Sequence, residues 1–409
     1  MAHRMLWRIA TAQFLGMTLW FSATAAAPAI AREFQLTAGA TAWLTMAVQA
    51  GFVAGTLASA MLNLADAINP RRLFAAGCVV GALSNATIAF APSATAIMAL
   101  RFVTGMALAC VYPPGMKITA GWFLERRGWA LGVVVGALTI GSAFPHLLSW
   151  LSASTSSGHA ADVPWRMLLG FSSALALAGG AIVIATVGDG PHVTASAPFD
   201  FHAVRHVLHS RGVRLATLGY LGHMWELYAM WAWIAVYASH SLTDRGSATA
   251  TAPLVAFIAI ASGAAGCVAA GAWGDRWGKA RVARAAMIVS GGCSAIAGFV
   301  YGQPFVSLLL LAIVWGFSVV ADSAQFSALV SEHSPRTLVG TALTLQTSLG
   351  FLLTMISMRL VPLIAESVGW RWAFLLLVPG PLLGAVAMSA LSTPADDMPA
   401  TYTKSTKPR

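Results

Sequence analysis

The sequence predicts an all-α integral membrane fold of twelve transmembrane helices in two pseudo-symmetric six-helix bundles. Three observations predict it. Hydrophobic residues make up 58% of the 409 positions and charged residues 9%, against about 25% charged in ordinary soluble domains. Apolar stretches of the ~20 residues needed to cross a bilayer recur along nearly the whole chain. Features of the first half also return in the second at a nearly constant offset. A water-soluble protein this apolar would lack the polar groups to cover its surface, and disorder requires low hydrophobicity.

The first span, near 6–30, follows Arg4 and Arg8 in the manner of a signal peptide. The run from Ile9 to Ile30 is long enough to cross, and no tidy cleavage site ends it, so it reads as a retained helix. The second, near 39–64, ends ahead of Asp66, Arg71 and Arg72. The third and fourth, near 73–91 and 95–121, bring Arg101 and Lys117. The fifth, near 129–152, holds Gly132, Gly136 and Gly141, which permit close helix packing, and Pro145-His146, a kink. The sixth, near 166–188, opens on Pro164-Trp165-Arg166. Residues 189–212 form the longest polar connection, with Asp189, Asp200, Arg205, Arg211 and four histidines. Six more spans follow near 213–240, 249–273, 282–301, 305–330, 338–364 and 371–391, the last opening on Gly369-Trp370-Arg371. The expected organisation is therefore a bundle over 1–188, a cytoplasmic linker over 189–212, a second bundle over 213–391 and a cytoplasmic tail over 392–409.

Charge fixes the expected orientation. With the N-terminus inside, seventeen basic residues lie on inner segments: Arg4, Arg8, Arg71, Arg72, Arg126, Arg127, Arg205, Arg211, Arg214, Arg276, Lys279, Arg281, Arg284, Arg336, Lys404, Lys407 and Arg409. Four lie outside: Arg32, Arg166, Arg245 and Arg371. Positive charge collects on the cytoplasmic side, which puts both termini there; the Ala/Gly/Arg-rich bias suggests a bacterial inner membrane. The net charge of +10 does not point to nucleic acid, because the basic residues sit in short clusters between apolar spans. Cys78, Cys110, Cys267 and Cys293 each fall alone in an apolar segment, without metal or redox spacing, as small buried hydrophobes do. No Gly-x-Ser-x-Gly, His-Glu-x-x-His or phosphate-binding loop is present, so neither an enzyme nor a cofactor is expected.

The halves echo each other. Asp66 with Arg71–Arg72 follows the second span, and Asp275 with Arg276 follows the eighth, 209 residues on; Trp165-Arg166 and Trp370-Arg371 are 205 apart. The loop Gly271-Ala-Trp-Gly-Asp275-Arg276-Trp-Gly278-Lys279-Ala-Arg281 resembles, almost position for position, the G-x-x-x-D-R-x-G-[RK]-[RK] signature of the major facilitator superfamily. The corresponding first loop, Leu62 to Arg72, keeps the acid and the basic pair but has lost the leading glycine and the arginine after the aspartate. Arg101-Phe-Val-Thr-Gly105 is similar to the family's R-x-x-x-G element. The resemblance covers essentially the whole chain. It implies a secondary transporter working as a monomer in the lipid bilayer, with a central cavity lined by spans one, four, seven and ten. It also implies that Asp275, Arg276, Lys279 and Asp66 help to lock the cytoplasmic side. From the residues alone, Gly278 suits a tight turn, Asp275 suits a neighbouring helix N-terminus, and Lys279 and Arg281 can snorkel.

Ionisable residues inside spans are costly, and each marks a candidate site. On span seven His223, Glu226, Met230, Trp233 and Tyr237 recur at helical spacing, and on span ten Trp315, Ser318, Asp322 and Gln325 do so. Arg101, Gly105, Leu108 and Tyr112 share a face of span four; Gln13, Met17, Trp20 and Thr24 share one of span one. Arg101, Glu226, Asp322, Trp20, Tyr112, Trp233 and Gln325 are the expected substrate-binding set, with Trp225 and Tyr228 as further aromatic walls. Glu226 is the first expected proton carrier, Asp322 the second, with His223 as relay. Arg101 suits an anionic group or a pair with one of the acids. His146, beside Pro145, reads as a cavity ligand or as a histidine satisfied at its kink. The structural alternatives elsewhere are that Glu226 or Asp322 caps a helix or pairs with Arg101, and that Lys117 and Arg359 snorkel. The expected function is proton-coupled movement of a small solute, an organic or other small anion. Proton-driven drug efflux is the alternative, since Gly141-Ser-Ala-Phe-Pro145 loosely resembles the Gly-Pro pair of such antiporters. A channel would show filter repeats and a sensor a soluble output domain; neither is evident.

Overall fold

The computed structural model describes residues 1–124, 127–155, 164–192, 209–247, 249–335 and 338–392, the side chains of 65, 66, 127 and 155 apart. Most of the 189–212 connection and of the 392–409 tail lies outside the described residues. Among those described, ten helices are long and apolar enough to cross a membrane: Ala38–Met61, Pro70–Phe90, Ala94–Trp122, Gly128–Ser154, Trp165–Thr186, Thr249–Trp277, Lys279–Val300, Phe305–His333, Val339–Val368 and Trp370–Ser392. They match ten of the predicted spans, and the chain is an all-α, multi-pass membrane protein. The remaining two are helical as well. Span seven is one helix, Arg211–Asp244. At 1.5 Å per residue it is about 50 Å long, and His223, Glu226 and its tyrosines and tryptophans lower its hydropathy. Span one is broken into Ala2–Met17, Ser22–Ala25 and Ala27–Glu33.

Breaks also divide two spans that the sequence pattern presents as continuous. Span four runs Ala94–Ala109 and then Tyr112–Trp122, because Pro113 and Pro114 supply no N–H to the preceding turn. Span ten runs Phe305–Ala321 and Ser323–His333, with Asp322 at the joint.

Helix packing repeats after a shift of six. Span two packs on four and eight on ten; three on six and nine on twelve; one on five and six, and seven on eleven and twelve. Glycines set the two-four and eight-ten crossings. A Cβ on Gly51 would overlap the Phe102 carbonyl and one on Gly105 the Val48 carbonyl; on Gly266 it would overlap Phe317, and on Gly316 Ala259. The backbones touch there. The Trp-Arg pairs repeat too: Arg166 Nε donates to Ala89 O at the end of span three, and Arg371 Nε to Gly298 O near the end of span nine, both at 3.0 Å. These guanidinium groups cap helix ends.

The first six spans meet the last six along two seams, five against eight and two against eleven. On the five-eight seam a Cβ on Gly132 or Gly136 would lie 3.3 Å from Cys267 O or Ala264 O, and one on Gly271 3.7 Å from Gly128 O. Those clearances are wider than at the crossings within either set. Gly278, at φ 89°, joins spans eight and nine, and Gly369, at φ 79°, joins eleven and twelve, both in the left-handed region that favours glycine.

On the face opposite the arginine-rich loops, Glu33 accepts from Trp165 Nε1 at 2.9 Å and from both terminal nitrogens of Arg166, at 2.9 and 2.5 Å. The Arg166 hydrogen bonds hold the Glu33 carboxyl below the usual carboxylate range. Its contribution to stability is therefore present above ~4.3, the unfolded value, and is lost as pH falls through the lower folded value. Glu33→Gln should flatten the acid limb of melting temperature against pH by a small amount, since the pair is exposed; an unchanged limb would remove the pair from the account. Gly105→Ala and Gly316→Ala should each cost about 1–3 kcal/mol through overpacking, read as a lower melting temperature of the purified protein. Wild-type melting in both would mean that the crossings are loose.

Candidate functional site

The geometry of the site starts from the gap in span one. Residues 18–21 leave the helix, so their neighbourhood has carbonyls without intrahelical donors, a costly state inside a membrane. Arg101 answers it. Fully buried on span four, it donates from Nη1 to Leu19 O at 2.9 Å, from Nη2 to Trp20 O, and from Nε to Leu44 O of span two at 3.0 Å. Ser22 Oγ and Asn85 Oδ1 lie at 3.4 and 3.5 Å from Nη1, and Asn85 reaches on to Leu169 O and Ser173 Oγ of span six. Thr18 Oγ1 contacts Leu15 O and Ser172 O. The contacts described for Arg101 are thus with main-chain and neutral oxygens, not with Glu226 or Asp322. Gly105, one turn on, lets span two approach closely enough for Leu44 to be reached.

The unwound segment presents Trp20 and Phe21 to an aromatic cluster where the first six spans meet the last six. Trp20 lies 5.0 Å from Phe52, 5.8 Å from Tyr228 and 5.8 Å from Phe351, ring to ring. Phe52 and Phe351 are 4.7 Å apart, and Tyr112 stacks on Phe52 at 6.5 Å. Phe21 touches His146, Tyr228 and Trp231 at 6.2, 6.4 and 5.8 Å. Spans one, two, four, five, seven and eleven all contribute. Nearby, Gln49 of span two accepts from Thr354 Oγ1 of span eleven at 2.8 Å. Gln13 and Gln346 are buried with amide atoms that have no partner.

The two acids lie within the last six spans. Glu226 accepts three hydrogen bonds: Ser294 Oγ at 2.5 Å and Trp315 Nε1 at 2.8 Å on Oε1, and Ser290 Oγ at 2.8 Å on Oε2. It ties span seven to nine and ten. Asp322, at the joint of span ten, has Oδ1 2.8 Å from His223 Nδ1, with both side chains about fully buried. No further partner is described for either of these two atoms. His223 Nε2 meets Ser323 Oγ at 3.0 Å.

The other expected site residues are dispersed. Trp233 Nε1 donates to Met358 O at 2.9 Å, packing seven on eleven, and its ring lies 5.6 Å from Trp370. Trp225 Nε1 donates to Leu376 O of span twelve at 2.9 Å. Gln325 Nε2 donates to Ala270 O at 3.1 Å, fixing ten on eight. Both Asp275 oxygens lie 3.8 Å from the position a Cβ would take on Gly128, in the first turn of span five. Lys279 pairs with Glu332 at 2.6 Å. Arg276 is exposed at the end of span eight, and the side chain of Asp66 lies outside the described residues. Trp20 and Tyr112 of the expected binding set, and Tyr228 of the expected walls, come together.

Phe21, Phe52, Trp231 and Phe351 join them without having been anticipated. Phe52 and Phe351 each follow a glycine at a tight helix contact, Gly51 and Gly350, and that Gly-Phe pairing was the available signal. The serines that serve Glu226 sit at i, i+4 on span nine, a spacing visible in the sequence.

A family model described as Major Facilitator Superfamily matches residues 9–279 and 218–408. Over 128 residues the chain is 27% identical to the niacin transporter NiaP of Acinetobacter baylyi, a match covering 29% of this chain and 28% of that protein. The match thus spans under a third of the relative's length.

Replacing Arg101 by lysine keeps a charge but cannot serve three carbonyls from one planar fork. Arg101→Lys should cost on the order of 3 kcal/mol and raise quenching of Trp20 fluorescence, isolated in a variant whose other tryptophans are replaced. Native melting and native quenching would show that the break in span one holds without the guanidinium.

Proposed function

This chain belongs to the major facilitator superfamily of membrane transporters, and on that premise we propose that it is a proton-coupled secondary transporter of a small organic anion, working by alternating access. The observation that carries the reading is the aromatic cluster, buried at the meeting of the first and last six spans and built from both. Two six-helix bundles, 1–188 and 213–391, rock about this centre. The repeated packing and the two roomier seams support such a division. Solute entering from one side meets Trp20, Phe52, Tyr228 and Phe351. Closure of the far side is held by the eight-nine loop, where Asp275 faces the start of span five and Lys279 pairs with Glu332. The basic side is the cytoplasmic side, with both termini there, in an inner membrane.

Proton coupling belongs to the two buried acids. Neutralising Asp322 removes the partner of His223 at the joint of span ten and frees that joint to bend. Glu226 couples the same span, through Trp315, to spans seven and nine. Each acid thus links a protonation change to a helix that borders the cluster.

The alternative reading is efflux of lipophilic cations in exchange for protons. Its support is the same cluster, since π faces without a fixed positive charge suit a cation. Niacin, the solute in the name of the relative, is a first solute to test for import. In proteoliposomes with an imposed pH gradient, uptake of an organic anion should run with the proton gradient and dissipate with a protonophore. Glu226→Gln should abolish concentrative uptake by at least about tenfold while leaving solute exchange. Concentrative uptake at the wild-type rate would take Glu226 out of the mechanism, and cation-for-proton exchange would select the efflux reading.

A further inference from the structure

In and beside the aromatic cluster, four polar atoms are sealed from solvent without a hydrogen-bond partner: Nε1 of Trp20, Nε1 of Trp231, Nε2 of His146 and Oγ of Ser149. All four residues are 1% exposed. A buried polar group left unpaired costs about 1–3 kcal/mol, and such groups are uncommon unless something occupies the place of a partner. Both indole nitrogens can only donate, the hydroxyl can donate, and Nε2 donates when it carries a proton. The set therefore calls for acceptor atoms. His146 and Trp231 flank the same ring, Phe21. Ser149 follows His146 by three residues and shares its helix face. Phe21 and Tyr228 stack on each other, 15° from parallel with centroids 6.4 Å apart, and the faces and edges of such a ring cluster favour an aromatic solute over an aliphatic one.

Charge narrows the ligand further. Arg101 is turned onto the first-span carbonyls, Glu226 holds three donors, and Asp322 faces His223. On the elements packed against span five, Arg8 donates to Thr186 O, Arg166 is paired with Glu33, and Cys267 contacts Val320 O. His3, whose ring lies 5.7 Å from that of Trp129, sits with Arg4, Asp275, Arg276, Glu332 and His333 at the basic end. Lys117 and Tyr112 belong to the lower part of span four, and Tyr228 lies across Phe21. A carboxylate entering the cluster would thus meet one group able to acquire a compensating charge, the imidazole of His146.

Resting on the transport reading above, we propose that the cluster binds a planar aromatic monocarboxylate, its carboxylate received by the imidazole of His146 with Trp231 Nε1–H and Ser149 Oγ–H as further donors. One proton from water on the open side adds to the imidazole as the anion enters. Carboxylate and imidazolium together bring no net charge into a low-dielectric site, which removes most of the cost of burying either alone. On release the proton returns to water with the solute, in addition to the proton coupling proposed for Glu226 and Asp322. No covalent bond forms or breaks.

Calorimetric titration of the full chain in lipid nanodiscs, at about pH 7 near the ordinary histidine range, tests this with benzoate, cyclohexanecarboxylate and benzamide. Buffers of different ionisation enthalpy report proton uptake. Benzoate should bind with uptake of one proton, and cyclohexanecarboxylate about tenfold more weakly. His146→Gln should weaken benzoate by about tenfold or more and abolish uptake, while benzamide still binds. If that variant loses benzamide as well, Ser149→Ala decides: it should weaken benzoate and keep the proton uptake. Equal affinity for the two acids, uptake that persists in His146→Gln, uptake lost in Ser149→Ala, or no benzoate binding each overturns the assignment. Flux in proteoliposomes separates this from the transport reading. Solute movement without aromatic preference ends the assignment alone, whereas aromatic binding without flux of any solute ends the transport reading.

Discussion

A peptide carbonyl in hydrocarbon must find a donor, and span one breaks that rule at the middle of the molecule unless another element repairs it. The repair is one side chain. Arg101 reaches Leu19 and Trp20 in the break of span one and Leu44 on span two, and through Ser22 and Asn85 it joins a network extending to span six. Because these carbonyls are held, residues 18–21 can leave the helix and aim Trp20 and Phe21 into the centre. The aromatic cluster, the seams it bridges and the chemistry assigned to it all follow from that one satisfied gap.

The buried ionisable groups divide by what their partners let them do. Arg101 is bound to neutral oxygens, so its charge is spread over dipoles that do not titrate, and it is a fixed strut. Glu226 receives three donors and is fixed in place but not in charge. Asp322 and His223 face each other at the joint of span ten, the place where the proposed coupling would bend a helix. Desolvating a charge costs several kcal/mol, and each of these residues recovers that cost differently. Their total charge says little about the solute, because no described contact joins the charged groups of Arg101, Glu226 or Asp322 to a ring of the cluster.

Much of this was visible in the sequence. Composition and span length are properties of solvent and geometry, so the membrane fold and the helix positions could be read directly. The Asp-Arg-x-Gly loop was legible because it combines a turn that needs Gly278 with charges that need a surface. Periodicity placed Glu226 and Asp322 inside spans seven and ten, and Trp20 and Tyr112 on central faces. It could not say where those faces pointed. Trp233 and Gln325 share helical stripes with Glu226 and Asp322 yet turn to neighbouring backbones, since a stripe on a tilted, buried helix meets several neighbours. The break in span one was illegible for another reason: no proline or glycine marks 18–21, and its cause sits some 80 residues away, at Arg101. Phe52 and Phe351 come from spans two and eleven, whose contact depends on tertiary packing that no local pattern records.

The glycines that set helix spacing divide into two kinds. At the crossings inside each set of six there is no room even for a methyl group, so Gly51, Gly105, Gly266 and Gly316 weld their helices into blocks. Along the five-eight seam a Cβ on Gly271 would make an ordinary contact, and one on Gly132 or Gly136 would press on a carbonyl by only a few tenths of an ångström. Small side chains there act as shims rather than wedges. If the two bundles rock as proposed, thickening this seam by a methyl or a hydroxymethyl group would change the relative energy of their arrangements without touching the tighter crossings inside either set. A bias of 1.4 kcal/mol already shifts such a two-state balance about tenfold. The seam is thus a tuning surface, where conformational preference can be adjusted by evolution or by an experimenter independently of folding.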